Sequence, residues 1–186
     1  MRLGVLGGSF DPIHNGHLAL GEAALGQLSL DKILFMPAGH QWRKAGRDVA
    51  ASEDRLEMVR LAIRGNGKFE ASTMEIEREG PTYTIDTLEA LRAESPGVEV
   101  FFIIGADALA DMPNWRDPER IFELATVCVA ARVGEAVKDD RVTRIEMPEV
   151  DISSSEVRER VKEGRSVGDL VPEVVERYIE GHGLYR

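Results

Sequence analysis

The stretch Val100-Phe101-Phe102-Ile103-Ile104 is apolar at every one of its positions. A strand in the middle of a parallel sheet is covered on both faces, so its side chains are apolar throughout and not only at alternate positions. Glu99 and Asp107 bound the stretch, which is far shorter than the roughly 20 apolar residues of a membrane helix. We therefore predict that residues 99–104 form a central strand of a parallel sheet.

Outward from this strand, short apolar runs alternate with segments that have helical periodicity. Such alternation indicates an α/β architecture, in which helices cover both faces of a parallel sheet. The other predicted strands are residues 2–6, 32–36, 69–71, 126–132 and 144–147. The length of 186 residues fits one domain. The sequence thus predicts a single α/β domain over residues 1–186, with a Rossmann-like, doubly wound parallel sheet and helices on both faces.

Helical periodicity and N-terminal signals mark the helices between these strands. Their first predicted residues or caps are Leu18, Ser52, Thr84, Asp117, Ser153 and Pro172. We expect Ser52 to cap its helix, because a serine hydroxyl accepts a hydrogen bond from an amide of the first helical turn. Ser153 and Glu156 have the spacing of a capping box. In the last helix, the side chains expected to face inward are those of Val174, Val175, Tyr178 and Ile179.

The charge of the chain limits its partners. It holds 23 Lys and Arg against 33 Asp and Glu, which gives a net charge of −10 at pH 7. Such a balance repels phosphate backbones, so we expect no nucleic-acid partner. No apolar stretch is long enough to span a membrane, and Cys128 is the single cysteine, which fits a reducing compartment. We expect a cytoplasmic protein without a membrane partner, and the sequence leaves open whether it is a homo-oligomer.

After the first strand, residues 7–17 have the sequence GGSFDPIHNGH and lead into a helix. Glycines allow backbone amides to approach a ligand closely, and a helix N-terminus attracts anions. The chain has no Walker loop, since its single Gly-Lys pair, Gly67-Lys68, lacks the other residues that such a loop requires. Residues 7–17 are not a dinucleotide fingerprint either, because their glycine spacing differs. The pattern favours a phosphate-binding loop.

His14 and His17 lie three residues apart at the start of this helix, a spacing that turns both imidazoles to one side. As metal ligands they lack partners, because the other histidines are His40 and His182. As structural residues they would be satisfied by local hydrogen bonds. As phosphate contacts they are better suited, since a neighbouring polyphosphate favours the charged, donating imidazolium. We favour phosphate contacts and predict no metal site in the protein itself.

Two segments resemble the signatures of one enzyme superfamily. Residues 7–17 are similar to GG(S/T)FDPxHxGH of the HxGH nucleotidylyltransferases, and ISSSEVR at residues 152–158 is similar to their ISS(T/S)xxR. Within that superfamily the chain resembles the bacterial nicotinate mononucleotide adenylyltransferases over nearly its whole length. The closer resemblance is carried by FMP at 35–37, EGPTYTIDTL at 79–88, FFIIGAD at 101–107, Trp115 and GLY at 183–185. It implies adenylyl transfer from ATP, with Mg²⁺ carried on the nucleotide, to nicotinate mononucleotide.

The resemblance also implies roles for individual residues. It assigns the ATP phosphates to the backbone of Gly7, Gly8, Ser9 and Phe10 and to the side chains of His14, His17, Ser153, Ser154 and Arg158. It assigns adenine and its ribose to Gly105, Asp107 and Ile152, and the acceptor to Thr82, Tyr83, Thr84, Trp115 and Arg132. Lys44 matches a lysine that reaches the phosphates, and the implied catalytic set is His14, His17, Lys44 and Arg158. The surrounding Gln41-Trp42-Arg43-Lys44 departs from the PPHK-like sequence of the family.

Three alternatives stay open at the level of sequence. Residues 38–51 form a polar loop that is either a substrate lid or a plain surface excursion. The acceptor is either the acid or its amide, nicotinamide mononucleotide, because a single contact would distinguish them. A non-catalytic nucleotide-binding module with the same fold is the rival from a different class, and the intact set of His14, His17, Lys44 and Arg158 argues against it.

Overall fold

The computed structural model describes residues 1–39, 49–132, 139–148 and 150–186. Within these ranges, six parallel strands form one sheet in the order β3-β2-β1-β4-β5-β6. The strands are β1 Arg2–Gly8, β2 Lys32–Pro37, β3 Phe69–Ala71, β4 Glu99–Ile104, β5 Thr126–Arg132 and β6 Thr143–Met147. This strand order is that of the Rossmann fold. The predicted α/β class with a doubly wound parallel sheet is confirmed.

Seven α-helices accompany the sheet in the described residues. They are α1 Asn15–Gln27, α2 Ser52–Ile63, α3 Thr84–Glu94, α4 Ala106–Asp111, α5 Pro118–Leu124, α6 Ser154–Lys162 and α7 Glu173–His182. A 3-10 turn, Met112–Asn114, follows α4. The first helix begins three residues before the predicted Leu18, because the carbonyl of His14 already accepts the amides of His17 and Leu18 at 2.9 and 3.4 Å.

The central strand β4 explains why both faces of the sheet need cover. It lies between β1 and β5, as its uniformly apolar sequence predicts. Phe101 and Ile103 belong to the core under α1, α2, α6 and α7, whereas Val100 and Phe102 belong to the core under α3 and α5. Both sets are buried. Helices therefore cover both faces of the sheet, as expected.

Two helix details differ from the predictions. Ser52 is the first helical residue and Ala51 is the N-cap, because the amide of Arg55 donates to the carbonyl of Ala51 at 3.0 Å. Val174 is 44% exposed, since Val175 and Ile179, one turn apart, define the buried face of α7. The predicted cap at Ser153 is confirmed: its hydroxyl accepts the amide of Glu156 at 3.2 Å.

Candidate functional site

The site lies at the carboxyl edge of the sheet, between β1 and β4. These strands are neighbours, with β2 beyond β1 on one side and β5 beyond β4 on the other. A crevice opens at such a switch point because the chain leaves the two strands toward opposite sides. Leu6 pairs with Ile103, so the loop after β1 and Gly105 after β4 start side by side. Gly105 is the N-cap of α4, and Asp107 lies in the first turn of that helix.

The loop after β1 is folded around Phe10. This residue is fully buried and has a positive φ of 46°. A Cβ atom at Gly8 would lie 3.3 Å from the Phe10 ring, so a larger residue there would crowd the ring. The ring also meets His17 edge to face, with centroids 4.9 Å apart. The predicted phosphate loop is therefore packed onto the first turn of α1.

The two histidines form one stacked unit at the start of α1. Their ring centroids are 3.6 Å apart with an interplanar angle of 28°, which confirms that both imidazoles lie on one side. The His14 amide donates to Nδ1 of His17 at 3.2 Å. This bond indicates that the proton of a neutral His17 is on Nε2, which can then act as a donor. Nδ1 of His14 is buried and has no hydrogen-bond partner among the described residues.

Burial controls the charge of this pair. Desolvation lowers the pKa of His14 to about 4. The pKa of His17 is also lowered well below its ordinary value, first by desolvation and then by the neighbouring His14. Both rings are therefore neutral donors and acceptors at pH 7 in this arrangement. The charged imidazolium expected from the sequence requires an anion beside the rings, which would raise both pKa values.

The second signature meets the first across almost the whole length of the chain. The Ser154 hydroxyl donates to the carbonyl of Pro12 at 2.9 Å. Nη1 of Arg158 donates to the carbonyl of Asp11 at 2.8 Å and lies 3.8 Å from its Oδ2. Ile152 lies two residues before α6 and packs against the core under α1, α2, α6 and α7. The start of α6 is therefore fixed directly to the phosphate loop.

Arg55 holds this loop from behind, and sequence reasoning missed it. Its side chain is only 2% exposed, although it is a cation. Its guanidinium donates to the carbonyls of Ser9 and Ala38, both at 2.7 Å, and to that of Ala50 at 3.3 Å. Burial lowers the pKa of this guanidinium. Arg55 thus ties the phosphate loop to the chain on both sides of residues 40–48. The one sign of this role in the sequence is that an arginine stands beside the apolar face of a predicted helix.

Three of the predicted acceptor residues lie at the start of α3. Tyr83 is the N-cap residue of this helix and Thr84 is its first residue. The Thr82 hydroxyl is buried and has no hydrogen-bond partner among the described residues. Trp115 is half-buried and its Nε1 donates to a carboxylate oxygen of Asp111 at 3.0 Å. The structure therefore places three threonine and tyrosine side chains and one indole on the α3 side of the sheet.

A half-buried carboxyl group, Glu75, lies behind these residues and was not predicted. The Thr87 hydroxyl donates to it at 2.8 Å, and Nη1 of Arg78 donates to the same hydroxyl at 3.0 Å. Burial raises the pKa of Glu75 to about 7. A Cβ atom at Gly39 would lie 2.0 Å from the Glu75 carbonyl oxygen, so only glycine fits there. The chain after β2 is thus packed closely against this acidic turn.

The side chains of two predicted site residues lie outside the described part of the structure, and the roles of all the site residues stay predictions. Lys44 lies outside the described residues, together with Trp42, so its role stays a prediction. Arg132 ends β5 at the carboxyl edge, where its backbone pairs with Met147, and its side chain is outside the described part. Among the described residues, no group of three or more His, Cys, Asp or Glu side chains is arranged to hold a metal ion. None of the helices described is long and apolar enough to cross a membrane.

Comparison with known proteins fits this arrangement. The cytidylyltransferase-like family model matches residues 5–160, a range that includes both signature segments up to Arg158. Proteins named "Probable nicotinate-nucleotide adenylyltransferase" are 44% identical in Thermomicrobium roseum, over 100% of this chain and 92% of that protein, and 46% identical in Roseiflexus, over 99% and 98%. The chain therefore belongs to the nicotinate-nucleotide adenylyltransferase family.

Solved structures show the same fold at low sequence identity. The chain is similar to Plasmodium falciparum nicotinic acid mononucleotide adenylyltransferase complexed with NaAD, with a TM-score of 0.81 and 20% identity over 99% of this chain and 97% of that one. It is also similar to a putative nicotinate-nucleotide adenylyltransferase from Vibrio parahaemolyticus, with a TM-score of 0.75 and 21% identity over 100% and 95%. These likenesses support the Rossmann-like sheet.

Proposed function

We propose that this chain transfers the adenylyl group of ATP to nicotinate mononucleotide, forming deamido-NAD and releasing pyrophosphate. The observation that carries the proposal is the meeting of the two signature segments at the switch point, where Ser154 and Arg158 contact the carbonyls of Pro12 and Asp11. A crevice at that position is where Rossmann-like sheets bind nucleotides. The family to which the chain belongs carries this activity in its name.

The chemistry needs no general base. The phosphate of nicotinate mononucleotide attacks the α-phosphorus of ATP, a new P–O bond forms, and the bond to pyrophosphate breaks. The nucleophile is already an anion, so catalysis consists of holding two anions in line and stabilising the charge on the leaving group. Well-oriented binding supplies about 7–11 kcal/mol of barrier reduction, and one donor aimed at developing charge supplies about 2.7–4 kcal/mol. The binding site as a whole therefore contributes more than any single residue.

On the nucleotide side, Mg-ATP is the substrate and its phosphates lie over the loop after β1. The backbone amides of Gly7, Gly8, Ser9 and Phe10 and the side chains of His14, His17, Lys44 and Arg158 face them, with Ser153 and Ser154 at the start of α6. The N-terminus of α1, a helix of 13 residues, adds a partial positive charge beside them. Nε2 of His17 is the donor toward the leaving pyrophosphate, because its Nδ1 is already used by the His14 amide.

The nucleoside parts of the two substrates occupy the neighbouring strand ends. Adenine and its ribose lie against Gly105, Asp107 and Ile152, beside β4. The acceptor nucleotide lies against Thr82, Tyr83, Thr84, Trp115 and Arg132. The indole of Trp115 offers a flat face for the pyridine ring. The Thr82 hydroxyl, which has no partner within the described ranges, offers a hydrogen bond to a polar ligand atom. A guanidinium at Arg132 suits a phosphate.

The location and organisation that go with this function are also proposals. A single nucleotidyltransferase domain over residues 1–186 holds all the residues named above. A cytoplasmic location fits the buried, unpaired Cys128.

The test is pyrophosphate release from Mg-ATP in the presence of one acceptor at a time, with each product identified by mass. The acceptors are nicotinate mononucleotide, nicotinamide mononucleotide and phosphopantetheine. The proposal predicts a strong preference for the first. Release with only another acceptor would keep the adenylyl transfer and overturn the assignment of residues 82–84 and Trp115. Binding of ATP without release with any acceptor would favour a non-catalytic nucleotide-binding module.

A further inference from the structure

Tyr185 reaches the phosphate loop from the far end of the sequence. It follows α7, and its hydroxyl donates to Oδ1 of Asp11 at 2.8 Å across 174 positions. Asp11 is 1% exposed and Tyr185 is 7% exposed, so the bond is shielded from water. Burial beside Asp11 raises the pKa of the Tyr185 phenol, which therefore stays protonated and donates at neutral pH.

The Asp11 carboxylate lies close to three distant parts of the chain. Oδ1 accepts the amide of Ala50 at 3.0 Å as well as the Tyr185 hydroxyl. Oδ2 lies 3.8 Å from Nη1 of Arg158, which is beyond hydrogen-bond distance, while that same nitrogen donates to the Asp11 carbonyl at 2.8 Å. Arg158 is thus held near the loop, but it is not bound firmly to the carboxylate.

This arrangement bears directly on the guanidinium assigned to the phosphates. A buried carboxylate that loses one donor needs compensation from another, because an unsatisfied charged group is costly in the interior. Arg158, with Nη1 at 3.8 Å from Oδ2, is the cation that forms an ion pair with this carboxylate among the described residues. Without the Tyr185 hydroxyl, the carboxylate would therefore draw Arg158 toward itself and away from a bound phosphate.

We propose that Tyr185 is a positioning residue for the ATP phosphates, and that it acts through Asp11 by keeping Arg158 available to them. The proposal rests on the proposed function, because Arg158 has a task only if a nucleotide phosphate binds over the loop. Tyr185 itself does not touch the substrates. Its effect falls on ATP and not on the acceptor, since the loop after β1 lies on the nucleotide side of the switch point.

The chain contains a matched control in the same C-terminal region. The Tyr178 hydroxyl donates to Oδ1 of Asp54 at 2.9 Å and joins α7 to α2. Both bonds therefore link a phenol to a carboxylate and fasten the end of the chain to its body. Tyr185→Phe and Tyr178→Phe each remove one such hydroxyl and keep the aromatic ring. A purely structural role predicts that the two variants differ in melting temperature, because the Tyr185 bond is buried and the Tyr178 bond is partly buried, but that both keep the wild-type KM for ATP.

The experiment measures kcat and the KM of each substrate for the full-length wild type and both variants, with melting temperatures recorded in parallel. We expect Tyr185→Phe to raise the KM for ATP by about three- to tenfold, the size expected for part of one hydrogen bond to a charged group. The KM for nicotinate mononucleotide is expected to stay within about twofold, the range of a change that leaves acceptor binding intact. Tyr178→Phe is expected to change neither constant.

A second comparison tests whether the effect passes through Asp11. Asp11→Asn keeps Oδ1 as an acceptor but removes the charge that would draw Arg158. In that background, Tyr185→Phe is expected to change the KM for ATP by less than about twofold, because residues that act as a unit are not additive. A packing role predicts the same fold-change in both backgrounds.

Each remaining outcome also decides the question. Equal KM values for ATP in Tyr185→Phe and Tyr178→Phe would overturn the proposal, as would a Tyr185→Phe variant that does not fold, since the bond would then serve stability alone. Equal rises in both KM values would overturn it too. A wild type that is inactive with nicotinate mononucleotide would contradict the proposed function instead, so the two failures are distinguishable.

Discussion

The two sides of the switch point are built differently. The nucleotide half, residues 7–17 and 152–158, is fastened from distant parts of the chain by Arg55 and Tyr185. The acceptor half, residues 82–84 and Trp115, instead contains a buried Thr82 hydroxyl without a partner in the described ranges, and Trp115 is held by a single hydrogen bond from its indole.

The difference indicates two ways of binding an anion. The nucleotide half has its donors oriented in advance, which reduces the reorganisation needed when a charged phosphate arrives. The acceptor half has one buried hydroxyl, that of Thr82, without a hydrogen-bond partner in the described part of the chain, so a ligand that bonds to it would be favoured over one that leaves it unpaired. The nucleotide half holds one comparable atom, Nδ1 of His14, beside its oriented donors. We expect variants on the nucleotide side to affect stability, kcat or the KM for ATP, and variants of the acceptor contacts to affect the KM for nicotinate mononucleotide.

The largest effect is expected from Arg55→Met, which keeps the volume of the side chain and removes its hydrogen bonds. Two carbonyls, those of Ser9 and Ala38, would each lose a donor at 2.7 Å. Because an orphaned buried group costs about 1–3 kcal/mol, the free energy of unfolding in urea is expected to fall by about 2–6 kcal/mol. Arg60→Met, on the exposed side of the same helix, is the control and is expected to change it by less than about 0.5 kcal/mol. Equal losses in the two variants would contradict the anchoring role of Arg55.

The next effect concerns the donor at His17. His17→Ala is expected to lower kcat by about 10²–10³, or about 2.7–4 kcal/mol of barrier, because the leaving pyrophosphate loses one aimed donor. The fold is expected to persist, since the bond that is lost is a single one, from the His14 amide. Steady-state kinetics and a thermal melt check both points. A fall in kcat of less than about fivefold, with unchanged melting, would remove His17 from the transition state.

The two halves are expected to respond to pH in opposite directions. The pKa of His14 is lowered to about 4, so the folded state binds fewer protons than the unfolded state, and stability is lost as the pH falls from 6.5 through 4. The pKa of Glu75 is raised from 4.5 to about 7, so the folded state binds more protons, and stability is lost as the pH rises from 4.5 through 7. The expected sizes are about 3 kcal/mol for His14 and, after allowance for partial exposure, about 2 kcal/mol for Glu75.

Urea unfolding at a series of pH values separates these contributions. Relative to wild type, His14→Gln is expected to flatten the loss on the acid side of pH 6.5, because glutamine does not titrate. Glu75→Gln is expected to flatten the loss between pH 4.5 and 7 while keeping an acceptor for the Thr87 hydroxyl. A variant whose stability runs parallel to that of wild type over its window would show that the residue does not titrate differently in the folded state.

The smallest effect is expected from Trp115→Ala. Loss of a stacking face is expected to raise the KM for nicotinate mononucleotide about tenfold, or about 1.4 kcal/mol, and to leave the KM for ATP unchanged. Kinetics with each substrate varied in turn measure both constants. An unchanged KM for the acceptor would exclude Trp115 from its pocket.

Local sequence patterns predicted the sheet well. The strands at residues 69–71, 99–104 and 126–132 have the bounds that were predicted. For the last two the reason is that apolar runs between charged or turn residues mark buried strands. The loop at residues 7–17 was also recognisable, since its glycines let amides approach a ligand and the three-residue spacing of its histidines turns both to one side. Helix starts were less accurate: the cap of α2 moved from Ser52 to Ala51 because the choice depends on which carbonyl the first helical amide meets.

The supports of the site could not be predicted from local patterns. The contact between Asp11 and Tyr185 spans 174 positions, and that between Arg55 and Ser9 spans 46. The type of each residue was visible in the sequence, but its partner is set by how the sheet brings distant loops together. Glu75 was missed for a similar reason, since a glutamate in a polar turn gives no local sign of burial.

The most direct test of the account is a crystal structure of the protein with Mg²⁺ and a non-hydrolysable ATP analogue. The account predicts phosphate oxygens at about 2.7–3.2 Å from Nε2 of His17 and from amides of the loop after β1. It also predicts that the Arg55–Ser9 and Tyr185–Asp11 bonds stay as they are here. Phosphates bound away from the histidines, or a loop that breaks both bonds on binding, would contradict a nucleotide half that is assembled in advance.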